Sequence, residues 1–457
     1  MKKFFRITSA TSIVGIALVL AIGFVTQNYA YAANTLTGNN TLVSVNNVDG
    51  QGLNGYAFPR GLSSVGNIAL YLSYASNLPG AVTYSTGAYL RNMKLGTTQK
   101  LDVSTSGISG NGSVYSAVLS ETGRYAAFVS RATNLIDGVV QRPGQTYIHD
   151  SQTGTTTLAS VFGQATYGFG RDSTLNNEWD VVTGISNDGR FITLETRSPT
   201  LSTGPTRPYV VGYGDMSTHT WTAINNPQLQ EAAWATGSSM SCDGSFIVFS
   251  SSQSNLPSIG IVGNNRIFVA DVRNSNIPVI SVISGYASHS PKISCNGNFI
   301  AYSVQNQTTD PTPIPSGMNS KTHLVHYNRL TGERSYVDSN STGTQFDTNQ
   351  TNVVQSSTIR HTNYFIPSIA DSGDITFRFR NQFGQEGIYL KHLSDGSGTL
   401  ENVRKKSNGT YIIGFPGDLN FISANGKYII YGAPAYELGL ITSSTTENDV
   451  IRTETGL

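Results

Sequence analysis

Residues 117–135, AVLSETGRYAAFVSRATNL, read as strand, tight turn, strand and loop. The same pattern recurs six times, as GLSSVGNIALYLSYASNL at 61–78, GISNDGRFITLETRSPTL at 184–201, MSCDGSFIVFSSSQSNL at 240–256, ISCNGNFIAYSV at 293–304, IADSGDITFRF at 369–379 and ISANGKYIIYG at 422–432. Asp-Gly or Asn-Gly between β-formers is the strongest short hairpin signal, because glycine takes positive φ without a Cβ clash. The turn glycines are Gly66, Gly123, Gly189, Gly244, Gly297, Gly373 and Gly426, at intervals of 57, 66, 55, 53, 76 and 53 residues. A near-constant unit with variable padding is the mark of a repeat array with loop insertions.

A second hairpin follows each of the first. In the second unit it is residues 146–150, a Thr153-Gly154 turn and residues 155–159. In the fifth it is residues 323–327, Thr331-Gly332 and residues 334–337. Each unit therefore holds four short strands, A to D, in an up-and-down meander, and four-stranded units at this period predict propeller blades. The expected fold is all-β: a seven-bladed β-propeller of four-stranded antiparallel blades. Residues 41–45 look like a D strand without a hairpin, while the last unit ends in residues 449–452 with no fourth strand. The N-terminal strand is therefore expected to complete the last blade and remove an open edge.

The motif Ile-Ser-x-Asp/Asn-Gly-Arg-Phe/Tyr-Ile-x-Phe, followed by Ser-x-x-Ser/Thr-Asn-Leu, an x-Tyr-Ile-x-Asp strand and Thr-Gly, resembles the TolB-like (WD40-like) propeller repeat of bacterial secreted and periplasmic proteins. The resemblance spans roughly residues 41–453 and is clearest in units two to four. It is weaker in the first unit, at Val65-Gly66, and in the sixth, at Ser372-Gly373. It implies a fold and an exported protein. It implies no one activity, since the family includes scaffolds, peptidase-associated propellers and a few lyases.

Residues 1–32 carry Lys2, Lys3 and Arg6, an apolar run at 13–25 and Ala30-Tyr31-Ala32. This is the layout of a secretory signal peptide cut after Ala32, with an uncleaved membrane anchor as the competing reading. Residues 33–457 then form a single propeller domain. Charged residues make up 12% of the chain, about half the usual ~25%. A net charge of +1 leaves no footprint for nucleic acid, and a membrane would be met only through an uncleaved N-terminal segment.

The two cysteines, Cys242 and Cys295, hold the same motif position in consecutive units. They are candidates for a disulfide in an oxidising compartment, or else two small buried residues beside a turn. Two loops are long: residues 306–321 between strands B and C of unit five, and residues 338–362 between units five and six.

In an up-and-down blade the A–B and C–D turns share one face. The B–C and D–A connections, which hold nearly all the extra length, share the other. Binding residues favour loops on a rigid scaffold. Tyr56, Trp179 and Trp234 lie ten residues before a turn glycine, Tyr364 nine and His289 eight, which places them at the mouth of the channel. Such aromatics could stack on a sugar, a peptide or another extended polymer, or simply pack between blades. His323 and His326 face opposite sides of a strand. Ser-x-Asp-Gly resembles the Asp-box of sialidases without its spacing or terminal Trp, so its Asp is read as a turn-backbone acceptor. No nucleophile elbow or phosphate loop occurs, and no cofactor is called for. The favoured reading is an exported, non-catalytic propeller that binds a protein or polysaccharide partner at the cell envelope through its long-loop face. The alternative is a secreted polysaccharide lyase or glycoside hydrolase with its site in the channel.

Overall fold

At residues 186–191 the hairpin is built from its own side chains. Ser186 Oγ donates to Asp188 Oδ1 (2.5 Å), which also accepts the Arg190 N–H (3.0 Å), while Ser186 Oγ accepts the Phe191 N–H (2.8 Å). Ser241 and Asp243, Ser294 and Asn296, and Ser423 and Asn425 repeat the arrangement. The Asp or Asn thus orders its own turn, as Asx side chains do.

The computed structural model describes residues 40–47, 50, 52–139, 141, 143–159, 181–196, 210–224, 235–252, 255–256, 260–261, 265–273, 278–284, 288–305, 322–337, 350–353, 367–381, 386–394, 396, 398, 400–403, 419–436, 438–440 and 448–455. They form seven antiparallel blades in a ring, a seven-bladed β-propeller, and no helix occurs among the described residues. Blade two is representative: Val114–Leu119, Tyr125–Ser130, Gln145–Asp150 and Thr155–Leu158, each paired with the next. The A strands stand innermost: Ala57–Leu62, Val114–Leu119, Val181–Ile185, Ala235–Met240, Ser288–Ile293, Ser368–Ile369 and Asn420–Ile422. Each touches the A strand of the next blade.

Blade seven holds both ends of the described chain. Asn40–Leu42 pairs with Asp449–Glu454, with Thr41 opposite Arg452. The closure is also stitched by side chains: Ser44 Oγ donates to the buried Asp449 Oδ1 (3.0 Å) and accepts the Val450 N–H (3.0 Å), and Thr453 Oγ1 donates to Asn40 Oδ1.

One polar stretch departs from the sequence reading. Residues 338–362 were expected to be loop, yet Gln350–Val353 pairs with the far half of Ile375–Asn381, whose near half pairs with Ser368–Ile369. The inner position of blade six is therefore filled by two separate segments.

The core lies between blades. Tyr71, Phe128, Phe249, Tyr302 and Tyr431, each five residues after a turn glycine, are fully buried. Cross-strand aromatic pairs such as Phe128–Tyr147 (5.7 Å) and Phe249–Phe268 (5.5 Å) line up along the sheets. Burial of one such ring contributes roughly 1.5–3 kcal/mol, and a well-oriented aromatic pair about 0.5–1.5 kcal/mol more.

Candidate functional site: the channel and its long-loop mouth

A narrow axial cavity of about 140 Å³ runs between the seven A strands. Near its hairpin end the turns are linked blade to blade. The N–H of Ser64 donates to Glu121 O (2.7 Å), that of Asn187 to Cys242 O (2.7 Å) and that of Cys242 to Cys295 O (2.9 Å). The N–H of Asp371 donates to Ala424 O (2.9 Å) and that of Asn425 to Ser64 O (3.1 Å), which returns the circuit to blade one. The other two junctions use side chains: Thr122 Oγ1 donates to Asn187 O (3.4 Å), and the Asn296 N–H donates to Asp371 Oδ1 (2.7 Å). Within this circuit Cys242 and Cys295 are joined by a disulfide between blades four and five, with their Cα atoms 4.7 Å apart.

Charged side chains line the cavity and abut it. Arg60, Glu121 and Lys292 line it, Asp371 stands in the hairpin ring beside it, and the buried Glu195 lies behind its wall. Burial, reinforced by the nearby Asp371 charge, raises the Glu121 carboxyl to about 8, and burial also raises Asp371. Burial lowers the Lys292 ammonium against the attraction of Glu195. Glu195 Oε1 is held by the Ser238 N–H (2.7 Å) and Oγ (3.1 Å), and Ser238 Oγ is 2.7 Å from Thr183 Oγ1 in the channel wall. None of these charged residues had been singled out from the sequence. Glu121 and Asp371 share one place, two residues before their turn glycines, whereas Lys292 lies five before its own and Glu195 six after. Among the described residues, no group of three or more His, Cys, Asp and Glu is arranged to hold a metal.

At the other end Tyr56 enters strand Ala57–Leu62. Its ring stacks near Phe58 (6.4 Å, 8°) and tilts against Tyr74 (5.6 Å, 44°), and Tyr74 is 43% exposed. On blade two the exposed Tyr115 carries the Arg131 guanidinium 5.1 Å from its ring centroid. Tyr84, wholly exposed in the B–C loop of blade one, and Tyr436, exposed in that of blade seven, add aromatic surface on the same side. Paired asparagines hold these loops. Asn54 accepts the Ser76 N–H (2.8 Å), and its own N–H donates to Asn77 Oδ1 (3.1 Å). Asn111 and Asn134 repeat this one blade on, which gives the Ser/Thr-Asn-Leu motif a loop-pinning role.

His289 is buried, with Nδ1 3.2 Å from Asn265 Nδ2. Trp179, Trp234 and Tyr364 lie outside the described residues, as does the N-terminal segment 1–39. His323 and His326 have separate partners: the former sets its ring edge-on to Tyr336, and the latter stacks on Phe299.

No family model matches the chain, and no curated protein does. Among solved structures the chain is similar to oligogalacturonate lyase from Vibrio parahaemolyticus, with a TM-score of 0.51, 10% identity and coverage of 92% of this chain and 97% of that one. It is similar to a prolyl endopeptidase, with a TM-score of 0.50, 11% identity and coverage of 88% of this chain and 51% of that one, so it spans about half of that protein's length. It is also similar to a putative TolB from Agrobacterium tumefaciens, with a TM-score of 0.37, 16% identity and coverage of 62% and 80%. Likeness at such identities is one of fold, and fold alone assigns no activity. The chain is a seven-bladed β-propeller.

Proposed function

We propose that this chain is an exported, non-catalytic propeller of the TolB-like kind that binds a protein or polysaccharide partner at the cell envelope through its long-loop face. The observation that carries the reading is the aromatic surface on that face, with Tyr56, Phe58 and Tyr74 on blade one beside Tyr115 and Arg131 on blade two. Rigid aromatic rings offer a large contact area at low entropic cost, and a preorganised ring of blades holds them in place. Export is supported by the signal-like segment at 1–32, cut after Ala32 or kept as an anchor, and by a disulfide that suits an oxidising compartment. The test is a glycan and peptide array probed with the wild-type chain and with Tyr74→Ala, Trp179→Ala and Trp234→Ala. A ligand retained by the wild type and lost by these variants supports the reading. No retained ligand, or equal retention by all, refutes it.

A second reading, a secreted polysaccharide lyase or glycoside hydrolase working in the channel, is favoured by the two carboxyls and the amine gathered there. It requires the release of new sugar ends from a polysaccharide, with loss of that release in Glu121→Gln.

A further inference from the structure

Three charged side chains reach the axial cavity: Arg60, whose Nη1 donates to Pro59 O (3.0 Å), and two groups of opposite charge type, Lys292 and Glu121, whose charged atoms are short of partners among the described residues. The Lys292 ammonium makes no hydrogen bond or ion pair among the described residues, while its backbone pairs with Ala301. Glu195 attracts it through space, but that carboxylate is already engaged by Ser238. On blade two, Glu121 Oε2 is buried and has no hydrogen-bond partner among the described residues, and Asp371 nearby opposes its ionisation. Unpaired charge in a desolvated site is costly, so a ligand that pairs both groups would recover more than one that pairs either alone.

The cavity sets the ligand's size. At about 140 Å³ it has room for on the order of four or five waters at ~30 Å³ each, which is the bulk of a molecule of about five to eight non-hydrogen atoms. The rest of the wall mixes small or hydroxylated positions, at Gly61, Gly184, Thr183 and Ser239, with apolar ones such as Val118, Leu119, Met240 and Ile293. A divalent cation fits poorly, because Lys292 stands in the same cavity and no third His, Cys, Asp or Glu completes a ligand set among the described residues.

We propose that the axial channel binds a small zwitterion of the α-amino-acid class, with its carboxylate on Lys292 and its ammonium on Glu121. This site is separate from the aromatic long-loop face, and its occupancy would brace the inner strands of blades two and five against each other.

The test is titration calorimetry on the whole chain with glycine and L-alanine, set against acetate and methylammonium as singly charged probes. The amino acids should bind saturably and at least about tenfold more tightly than either probe, since each charge-assisted contact is worth roughly a factor of ten or more. Lys292→Met and Glu121→Gln should each weaken amino-acid binding by about 10- to 100-fold. Tyr74→Ala should leave it unchanged, which separates the channel from the loop face. The proposal is overturned if no saturable binding appears up to ~10 mM, well beyond a millimolar Kd. It is also overturned if acetate binds as tightly as glycine. Should a channel variant fail to fold, the wild-type comparison of the four probes decides alone.

Discussion

The ring of Tyr125 in blade two lies against the backbone of Gly189 in blade three, with a ring carbon 2.7 Å from where a Cβ on that glycine would stand. The relationship repeats around the molecule: Ile68 faces Gly123, Phe191 faces Gly244, Phe246 faces Gly297, and Tyr428 of blade seven faces Gly66. The Gly-x-aromatic spacing therefore serves two blades. The glycine turns its own hairpin at positive φ (+73° at Gly189), and the residue two positions on covers the glycine of the next blade.

Gly189→Ala is accordingly expected to destabilise the chain by about 2–4 kcal/mol, combining backbone strain with overpacking against Tyr125. Gly154→Ala is the control, since Gly154 has nearly the same φ (+72°) and nothing within 4 Å of the added Cβ. It should cost only about 1 kcal/mol, for strain alone. Urea unfolding of the two variants gives the difference, which is the interblade share.

Closure of blade seven makes a second prediction. Ser44→Ala removes a donor to Asp449 and an acceptor for the Val450 N–H, both buried. It should cost about 1–3 kcal/mol, because buried partners are left unsatisfied. Removal of residues 1–47 should go further and expose the edge of Asp449–Glu454 to intermolecular pairing. Denaturation midpoints and size-exclusion profiles report the two effects.

Reduction of the Cys242–Cys295 bond, or Cys242→Ser with Cys295→Ser, opens a cross-link spanning 53 residues. The expected loss is about 2–4 kcal/mol. The β-sheet signal in circular dichroism should persist at low temperature, because the Cys242 N–H still donates to Cys295 O.

Stability should depend on pH from both sides. Burial lowers His149, His289 and His326 to about 4 from the ordinary imidazole value of 6.5, so the unfolded chain takes up protons first. Their contribution is present above pH 6.5 and is lost as the pH falls towards 4. Glu121 acts in the opposite sense. Its carboxyl is raised from 4.5 to about 8, so its contribution is present below 4.5 and declines as the pH rises through 8. Melting temperatures between pH 5 and 9 should therefore show Glu121→Gln flattening the alkaline limb and leaving the acid limb in place.

The hairpins, the blade count and the shared seventh blade were legible in the sequence because each rests on local chemistry: a turn glycine with its Ser and Asx partners, or a lone strand at each end. Gln350–Val353 was not legible, because Gln, Thr and Asn give no apolar alternation and its pairing is set from across the blade. Glu121 and Lys292 passed unremarked for a related reason. Each is an ordinary residue beside a hairpin, and only the convergence of A strands from blades 53 to 76 residues apart places them in one cavity. Tyr56 was found by its distance from Gly66, whereas Tyr74 follows its hairpin and lies outside a count back from the turn glycine; Tyr115 stands eight residues before Gly123, the offset of Phe58 and His289, and was there to be counted.

The most direct test of the central claim is surface-immobilised binding of candidate envelope polysaccharides and peptides to the wild-type chain and to Tyr56→Ala with Tyr74→Ala. Binding by the wild type that weakens at least about tenfold in the double variant at unchanged melting temperature is the expected result, since loss of a central aromatic contact commonly costs more than 1–2 kcal/mol. Equal binding by both chains, or steady shortening of the bound polymer by the wild type, would contradict it.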